Sequence, residues 1–454
     1  MSKIIPAPAK IHITTLGCPK NTVDSGHLAG AFTAEGFVAV ENADDADIML
    51  VNTCGFIKDA KEESIEEVLR LAQMKESGRK LVVFGCLAAR YRDELLKEIP
   101  EIDGIWGVGE EARIIEYCKK QMPEFRSQSS EGKSGPTKSC STSPVASLSH
   151  AYLKIAEGCD KKCTFCVIPS IRGAFRSIRP ELIIAEAREY INAGVRELIL
   201  VAQDITNYGK EFDGYGLVSL LRDLAALPGD FYIRLLYLYP TAISKDLIEC
   251  IAAEDKIQKY LDIPLQHSED KILRLMGRRG TRNEYRKLIR TLRRHIPGVA
   301  LRTTFITGFP GETEEDFKGL IDFIEEMRFD RLGAFIFSKE EGTPSAGLKG
   351  QVPENVKRRR FEEIMKHQSL ISLELNRELV GRRFRAIIDE GAEDVTLARL
   401  YSHTPEIDGV VIIEKAKVSA GQKDKGRRPA VKVGDVVTVE ITDAYDYDLK
   451  AEIV

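Results

Sequence analysis

The sequence predicts an α/β protein with a parallel α/β sheet at the N-terminus, a central (β/α)6 partial barrel and a small C-terminal antiparallel β-barrel. Short apolar runs alternate with amphipathic helical segments over most of the chain, which is typical of parallel sheets. Past residue 376 the helical segments stop, and short alternating strands follow turn residues. The chain has 454 residues. Since single cores stop growing at roughly 250–300 residues, several domains are expected.

The first domain, residues 1–125, contains three apolar runs that predict buried strands: KIHITTLGC, DIMLVNTCGF and KLVVFGCLA. Between them, segments such as KEESIEEVLRLAQMKE carry apolar residues at helical spacing. Residues 126–149 are dominated by Ser, Gly, Pro and Lys and are predicted to form a linker.

The central domain, residues 150–376, contains six predicted strands: AYLKIAEGC, ELILVAQD, FYIRLLYLYP, YLDIPLQH, LRTTFITGFP and RLGAFIFS. Helical stretches such as PELIIAEAREYINAG separate them, and a long helix, PENVKRRRFEEIMKHQSLISLELNRELVG, follows. Six βα units predict a partial TIM-like barrel, whose chemistry is expected at the C-terminal ends of the strands.

The last domain, residues 377–454, contains five predicted strands: RRFRAIIDE, DVTLARLY, GVVIIEKA, GDVVTVEITDAY and DLKAEIV. Its 13 lysines and arginines are outnumbered by 15 aspartates and glutamates, a net charge of −2. This balance suits a basic partner better than a phosphate backbone, although Lys423–Arg428 form a local basic patch.

Composition excludes several classes of protein. Hydrophobic residues make up 43% and charged residues 30%, and the net charge of −4 provides no global field for nucleic acid. No run approaches the roughly 20 apolar residues of a membrane helix, and the N-terminus MSKIIPAPAK has no signal-peptide core. We therefore expect a cytoplasmic protein whose nine cysteines are metal ligands or core residues rather than disulfides.

Three cysteines, Cys159, Cys163 and Cys166, occur in AEGCDKKCTFCVIPS, directly after the first strand of the barrel. Thiolates suit zinc and iron–sulfur clusters, but a structural zinc site usually has four ligands, and no fourth Cys or His follows nearby. A 4Fe–4S cube held by three cysteines leaves one iron open to a small molecule. The alternatives are a zinc site or a chance spacing.

Cys18, Cys54 and Cys86 each follow an apolar strand of the first domain. If those strands are parallel, their carboxyl ends lie side by side, where open α/β sheets bind ligands. The three thiols would then converge on a second cluster with one open iron. The alternative is three small core residues, because cysteine is often buried.

The remaining cysteines are given no role. Cys118 and Cys250 lie among apolar residues of predicted helices and are expected to be packed. Cys140 lies in the linker and is expected to be an exposed thiol.

The spacing of Cys159, Cys163 and Cys166, with Phe165 before the last cysteine, resembles the signature of radical S-adenosylmethionine enzymes. Together with the N-terminal cysteines and a C-terminal β-domain similar to a TRAM module, the chain resembles the methylthiotransferases. GCPKNTVDSG, VNTCGFI, VAQDITNYG, LDIPLQHSED and TGFPGETEEDF resemble the RimO-type branch, which modifies an aspartate of the twelfth small-subunit ribosomal protein (S-twelve). The transfer-RNA branch, MiaB-like, typically has Gln-Met where this chain has Pro19-Lys20.

The resemblance implies two 4Fe–4S clusters and S-adenosylmethionine as cofactors. The cluster on Cys159, Cys163 and Cys166 would bind and reduce S-adenosylmethionine, generating a radical that removes hydrogen from the aspartate β-carbon. The cluster on the N-terminal cysteines would supply sulfur, methylated by a second S-adenosylmethionine. Phe165 is expected to contact the cofactor, and no catalytic residue is expected apart from the cluster ligands.

Further contacts are predicted less specifically. FITGFPGE resembles the family's adenosine-contacting segment, and the alternative is a plain βα turn in which Thr313 caps the next helix. Gln203 and Asp204 end the second barrel strand and either contact the cofactor or form a polar turn. His267 either faces the cavity or is a satisfied histidine at a strand end.

The expected partners are a basic ribosomal protein, S-twelve, met free or within the ribosome, and an electron donor such as flavodoxin or ferredoxin. No membrane contact is expected, and a monomer is predicted. Two alternatives remain open: a transfer-RNA adenosine methylthiotransferase, and a non-catalytic iron–sulfur or zinc protein that binds ribosomes.

Overall fold

The structure, a computed structural model, describes residues 8–76, 78–122, 147–391, 395–414 and 431–454. These residues divide into two compact units. The first contains the described residues of Met1–Ala146 with Glu157–Lys161 and Cys166–Phe175, and the second contains Ser147–Ala156, Lys162–Phe165 and the described residues of Arg176–Val454. Most of the predicted linker, including Cys140, and the basic patch 423–428 lie outside the described residues.

The first unit begins with alternating strands and helices. In chain order they are β1 (Lys10–Thr15), α1 (Pro19–Ala34), β2 (Val38–Ala39), β3 (Ile48–Thr53), α2 (Lys58–Gln73), β4 (Lys80–Gly85), α3 (Cys86–Arg90), α4 (Arg92–Glu98), β5 (Gly104–Trp106) and α5 (Glu111–Gln121).

Its sheet has the order β2-β1-β3-β4-β5, and every pairing is parallel. Both faces are covered: Met49 and Val51 of β3 join one apolar cluster, while Ile48 and Leu50 join another on the opposite face. Such double burial explains why these strands are continuous apolar runs in the sequence. The strand order reverses between β1 and β3, the switch point at which open α/β sheets bind ligands.

The chain continues through the barrel. The elements are β6 (Ala151–Lys154), β7 (Ala156–Glu157), α6 (Ile168–Arg172), β8 (Arg176–Ser177), α7 (Pro180–Asn192), β9 (Glu197–Val201), α8 (Leu217–Ala225), β10 (Tyr232–Leu235), α9 (Lys245–Ala253), β11 (Ile257–Asp262), α10 (Asp270–Leu275), α11 (Arg282–His295), β12 (Ala300–Thr307), α12 (Glu314–Met327), β13 (Arg331–Ile336) and α13 (Glu354–Arg377).

The central sheet of the second unit confirms the predicted partial barrel. Six strands pair in the order β13-β12-β11-β10-β9-β6, all in parallel. The short strands β7 and β8 form a separate pair. All six barrel strands fall within the predicted runs or begin within three residues of them. Their carboxyl ends therefore share one edge, where the site is expected.

The C-terminal residues form a closed barrel of β14 (Arg383–Gly391), β15 (Val395–Arg399), β16 (Val411–Glu414), β17 (Val436–Ala444) and β18 (Leu449–Ile453). The order is β14-β15-β16-β18-β17, antiparallel apart from the parallel β16–β18 pair. Alternating residues such as Ala386, Ile388, Val439 and Ile441 fill its core. The alternation predicted the strands and the small barrel.

A buried ionic network joins the two barrels of the second unit. Glu197, the first residue of β9, lies 2.9 Å from Arg234 of β10 and 2.8 Å from Arg399 of β15, and the three side chains are at most 2% exposed. Burial raises the pKa of Glu197, but the two arginines outweigh it, so this pKa lies below its usual value. Removing one partner of such a network leaves an uncompensated buried charge.

No helix among the described residues combines the length and apolar character that crossing a membrane requires.

Candidate functional site: two sets of cysteines

The first set contains Cys18, Cys54 and Cys86, and all three lie at the carboxyl edge of the first sheet. Cys18 occupies the N-cap position of α1, which follows β1. Cys54 directly follows β3, and Cys86 is the first residue of α3, directly after β4. Because β1, β3 and β4 are neighbouring parallel strands, their ends meet. The structure thus brings these cysteines to one place.

Two features describe the surroundings of the Cys54 thiol. The thiols of Cys18 and Cys86 both raise the pKa of Cys54. Gly17 has a φ of +95°, and a Cβ atom there would lie 2.9 Å from the Cys54 sulfur. Glycine is therefore required at this position for both its backbone conformation and the close approach.

Polar groups buried around the N-terminal thiols hold the strand ends and α1 together. Asn21 of α1 donates from Nδ2 to the Leu16 carbonyl oxygen at 2.7 Å, and Asn52 of β3 donates to the Asn21 carbonyl oxygen at 2.9 Å. The Cys54 backbone N–H donates to the Ser64 hydroxyl at 2.9 Å. Satisfied buried networks of this kind rigidify their surroundings.

Arg172 completes this network, and its side chain is 1% exposed. Its Nη1 donates to Glu157 at 2.9 Å and to Asp24 at 3.2 Å, and its Nη2 donates to Asn21 Oδ1 at 2.6 Å. Burial raises the pKa of the Cys86 thiol, and the guanidinium opposes this rise through its charge and as a hydrogen-bond donor. One buried cation therefore faces a thiol and two carboxylates.

The N-terminal thiols differ in their acidity. Burial raises the pKa of Cys54 to about 11. Burial also raises the pKa of Cys86, although Arg172 opposes it. At Cys18 burial acts in the same direction, but Lys20, Arg172 and nearby backbone N–H groups outweigh it, so its pKa lies below the usual value.

The second set contains Cys159, Cys163 and Cys166, all half-buried. Cys159 and Cys166 belong to the first unit and Cys163 to the second. The Cys159 backbone N–H donates to the Gly173 carbonyl oxygen at 3.1 Å. In the first unit, Val167 and Ile171, which follow Cys166, pack with Cys86 in one apolar cluster.

The segment that carries Cys163 is held within the second unit by the end of α10. The backbone N–H of Thr164 donates to the Met276 carbonyl oxygen at 2.9 Å, and its hydroxyl donates to that of Leu275 at 2.8 Å. Gly277 has a φ of +66°, and a Cβ there would lie 2.5 Å from the Lys162 carbonyl oxygen. A larger residue would therefore displace the loop.

Arg278 is the charged neighbour of Cys163. Its Nη1 lies 4.0 Å from the Cys163 sulfur, its Nη2 donates to the Pro264 carbonyl oxygen, and its guanidinium stacks on the Tyr239 ring at 4.4 Å. Among the described residues it forms no salt bridge, so no carboxylate neutralises its charge directly. Arg278 therefore places a positive charge next to the Cys163 sulfur.

Phe165 lies beside Phe309 of the FITGFPGE segment, which resembles the family's adenosine-contacting segment. Its ring meets that of Phe309 edge to face, with centroids 6.4 Å apart. Both pack in an apolar cluster with Ile306, Met276 and Phe337. The half-buried ring of Phe165, backed by these side chains, suits contact with an aromatic base.

Glu312 fixes the Gly308–Phe309 turn from within. Its Oε2 accepts the backbone N–H groups of Gly308 at 2.7 Å and Phe309 at 3.1 Å, while Arg360 donates to its Oε1 at 2.8 Å. Thr313 caps α12 through a capping box, as predicted. The cap and the fixed turn coexist, so the two interpretations of FITGFPGE do not exclude one another.

The other predicted side chains occupy strand ends at the same edge. His267 is fully buried, accepts the Glu269 N–H at its Nδ1, 3.0 Å away, and has its Nε2 3.8 Å from Glu312. Asp204 accepts the Thr206 N–H at 3.0 Å and thereby forms a polar turn after β9, directly following Gln203.

Two residues at this edge have strained backbones. Tyr237, after β10, has a φ of 62°, and Gln266, after β11, has a φ of 73°. Non-glycine residues rarely adopt such angles, and when they do they cluster at functional sites. The carboxyl edge of the barrel is thus marked independently of the cysteines.

The donor sets can be compared with the groups they would hold. Among the described residues, no three Cys, His, Asp or Glu side chains are placed to hold a single metal ion. A 4Fe–4S cube takes each thiolate on a different iron, so its ligands stand further apart than those of one ion. Three sulfur donors with a cationic neighbour in each set match the soft-ligand chemistry of a cube. Metal binding by the six cysteines stays a prediction.

The sequence reasoning missed the charged and amide residues that support the thiols. The buried face of α1 carries Asn21, Asp24 and Ser25 directly after Cys18, and polar residues on a buried helix face were the available signal. Arg172 and Arg278 carried no comparable signal, because arginine is common on surfaces. Cys118 and Cys250 are packed in helices, as predicted.

Three family models match consecutive parts of the chain. The uncharacterized protein family UPF0004 matches residues 10–107, the radical SAM superfamily matches 153–324, and the TRAM domain matches 380–454. These matches and the fold define a radical S-adenosylmethionine protein with an N-terminal α/β unit and a TRAM barrel.

Relatives of nearly equal length are curated under one name, ribosomal protein uS12 methylthiotransferase RimO. The protein from Thermodesulfovibrio yellowstonii is 54% identical over 97% of this chain and 99% of its own length. The Geotalea uraniireducens protein is 46% identical over 98% of both chains, and that from Geobacter sulfurreducens is 44% identical over 99% of both. The chain belongs to the RimO family of methylthiotransferases.

Solved structures agree with the fold. Two structures of the radical S-adenosylmethionine methyltransferase TsrM from Kitasatospora setae superpose with TM-scores of 0.53 and 0.52 at 13% and 14% identity. They cover 86% and 84% of this chain, and 81% and 79% of their own. At this identity the likeness establishes the fold alone.

Proposed function

We propose that this protein is a radical S-adenosylmethionine methylthiotransferase that adds a methylthio group to the β-carbon of an aspartate in ribosomal protein uS12. The observation that carries the proposal is its identity of 54% over 97% of the chain to a relative named for that activity. The two sets of cysteines at the carboxyl edges of parallel sheets support it, because this chemistry needs sulfur-ligated cofactors.

Two 4Fe–4S clusters would be held by this chain, one by Cys159, Cys163 and Cys166, and one by the N-terminal cysteines. When bound, the clusters and S-adenosylmethionine supply the radical that cleaves an unactivated C–H bond and the sulfur that replaces the hydrogen. No ordinary side-chain base could perform that step, since a β-C–H bond beside a carboxylate is only weakly acidic.

Residues of the second unit would bind and orient the cofactor and shield it from water. Arg278 holds a positive charge against Cys163, and the Leu275 and Met276 carbonyl groups fix the loop. The half-buried ring of Phe165, with the buried Phe309 ring packed against it, would contact the adenine ring, and Phe165 is thus proposed as a cofactor-binding residue. Glu312 keeps the Gly308 turn in place beneath them.

The C-terminal barrel would receive the protein substrate. At the end of β17 and in its connection to β18, the exposed aromatic residues Tyr445 and Tyr447 lie among Asp443, Asp446 and Asp448. Carboxylates interleaved with aromatic rings suit lysine and arginine side chains, through charge and through cation–π contacts. Ribosomal proteins are generally basic, which makes uS12 a fitting partner.

Three further aspects belong to the proposal. The protein acts in the cytoplasm as a monomer, and a flavodoxin or ferredoxin supplies electrons. It meets uS12 free or within the ribosome. The net charge of −4 opposes non-specific binding to the RNA of the ribosome.

The decisive experiment is mass spectrometry of uS12 and of transfer RNA from a strain lacking this gene. We expect the uS12 aspartate to lose its methylthio group and transfer-RNA adenosines to be unaffected. Loss of the methylthio group from transfer RNA instead would establish the MiaB-like alternative.

Anaerobic purification tests the non-catalytic alternative. An enzyme with two cubes should contain about eight irons per chain and cleave S-adenosylmethionine when dithionite is added. Zinc in place of iron would establish the non-catalytic alternative.

The docking role of the acidic barrel is tested by domain exchange. Exchanging residues 377–454 for a basic TRAM module should abolish uS12 modification, and undiminished modification would refute docking by the acidic barrel.

A further inference from the structure

We propose that Arg172 is a positioning residue that sets the reduction potential of the cluster on Cys18, Cys54 and Cys86. The proposal rests on the second cluster proposed above and goes beyond it, because it names the group that controls that cluster's charge state. It concerns a residue that follows Cys166 by only six positions. The same short segment would therefore carry a ligand of one cluster and the governing charge of the other.

Geometry places the Arg172 guanidinium within the thiol environment. Its Nη2 lies 2.6 Å from Asn21 Oδ1, and the Cys86 sulfur lies 4.0 Å from that same oxygen atom. Val167 and Ile171, on the segment that carries Arg172, pack against Cys86. The guanidinium is therefore held at the thiol by apolar packing as well as by hydrogen bonds.

The surroundings of Arg172 keep water away. Its side chain is 1% exposed, that of Asp24 is 6% exposed, and that of Glu157 is 17% exposed. In such a place charges are screened weakly, so a single charge acts strongly on its neighbours. Two carboxylates oppose the charge of Arg172, so the charge balance at the thiols changes when either the cation or a carboxylate is removed.

One-electron reduction adds a negative charge to a cluster that three thiolates already make anionic. A buried cation beside a ligand stabilises that added charge, and charge and hydrogen bonds near the sulfurs set cluster potentials. Removing Arg172 should therefore make the potential more negative. Removing the Asp24 carboxylate should make it less negative.

The experiment uses the full chain with Cys159, Cys163 and Cys166 all changed to alanine, so that only the N-terminal cluster can form. Potentials are measured by electron paramagnetic resonance during a titration with dithionite and mediators. Arg172→Gln removes the charge, Arg172→Lys keeps it, and Asp24→Asn removes the opposite charge. Arg331→Gln is the matched control, since this buried arginine contacts Ser372, Asn376 and His403 instead of cysteine.

We expect a more negative potential for Arg172→Gln, a less negative one for Asp24→Asn, and values near the parent for Arg172→Lys and Arg331→Gln. A merely structural disturbance would not move the potential in opposite directions for opposite charges. Shifts of the same sign, or no shift, would overturn the proposal.

If Arg172→Gln takes up no iron, the other two variants decide. Full iron content in Arg172→Lys, together with a less negative reduction potential in Asp24→Asn, supports the role of the charge. Loss of iron in Arg172→Lys, or an unchanged potential in Asp24→Asn, overturns it. Absence of iron from the parent with Arg172 intact would refute the second cluster itself. The two failures are thus distinguishable.

Discussion

The two sets of cysteines are presented by opposite means. Cys18, Cys54 and Cys86 come from three neighbouring strands and are framed by buried amides and hydroxyls, whereas Cys159, Cys163 and Cys166 lie on one half-buried loop. Each set has one arginine beside a thiol. The first set is therefore positioned by the sheet, and the second by the contacts of its loop.

The two arginines differ in how their charge is balanced. Arg172 meets two carboxylates, Asp24 and Glu157, while Arg278 is held by a carbonyl oxygen and the ring of Tyr239. Two carboxylates partly offset the charge of Arg172, whereas no carboxylate among the described residues pairs with Arg278. Radical generation is proposed at the cysteines beside Arg278.

The largest effect should come from removing one thiol of each set. Cys163→Ala and Cys54→Ala should each reduce iron from about eight to about four per chain, since a cube needs all three thiolates. Cys163→Ala should abolish S-adenosylmethionine cleavage, and Cys54→Ala should retain it while losing methylthio transfer. Iron analysis and chromatography of the cleaved cofactor measure both.

Cys250→Ala serves as the matched control for the thiol variants, because Cys250 is packed in α9 and should leave the iron content unchanged. Full iron content in Cys54→Ala would break the comparison, since the sheet-borne cysteines would then be core residues.

The next largest effect is on stability and tests the buried ionic network between the two barrels, which includes none of the cysteines. Glu197→Gln leaves Arg234 and Arg399 without their shared anion and should cost about 3–5 kcal/mol in the free energy of unfolding. Urea denaturation followed by circular dichroism measures it, with iron content unchanged in the native state.

For comparison, Glu249→Gln breaks an exposed pair with Lys245 and should cost less than about 0.5 kcal/mol. Equal costs for the two glutamates would show that the network joining the two barrels is not a stabilising element.

A smaller effect tests the close approach in the sheet-borne set. Gly17→Ala combines a φ of +95° with a Cβ that would be 2.9 Å from the Cys54 sulfur. It should destabilise the first unit by about 3 kcal/mol and lower its iron content. Gly109→Ala is its control, because it has a φ of +80° and no atom within 4 Å of the added Cβ. The control should show only the backbone strain, about 1 kcal/mol, and a cost equal to that of Gly17→Ala would exclude a steric role for Cys54.

The smallest effect is a pH dependence confined to the second unit. Burial, reinforced by Arg399, lowers the pKa of His150 to about 4. Between pH 4 and 6.5 the unfolded chain binds a proton that the folded chain does not, so stability rises with pH in this window. From pH 7 to pH 5 this histidine should cost at most about 2 kcal/mol of stability.

The measurement is thermal unfolding of the parent and of His150→Asn at pH 7 and pH 5, and the difference between their pH slopes reports the histidine. Parallel slopes would show that His150 titrates normally in the folded state.

Local patterns in the sequence predicted most elements of both units. Continuous apolar runs indicated β3 and β4, because strands buried on both faces are apolar throughout. The turn after β12 indicated the Thr313 cap, because helix capping depends on residues that are close in sequence. The parallel β16–β18 pair within the otherwise antiparallel barrel had no such local signal. Strand direction depends on how distant segments pair.

The functional residues divide in the same way. A spacing of four and then three residues places Cys159, Cys163 and Cys166 on one loop whatever the fold, so the sequence by itself determined that set. Whether Cys18, Cys54 and Cys86 meet depended on the order of β1, β3 and β4, and Arg172 reached Cys86 through tertiary packing and hydrogen bonds. Side-chain periodicity indicates which face of a helix or strand is buried. Which elements pack against that face depends on the free energy of the whole assembled core, so only the tertiary structure decided these contacts.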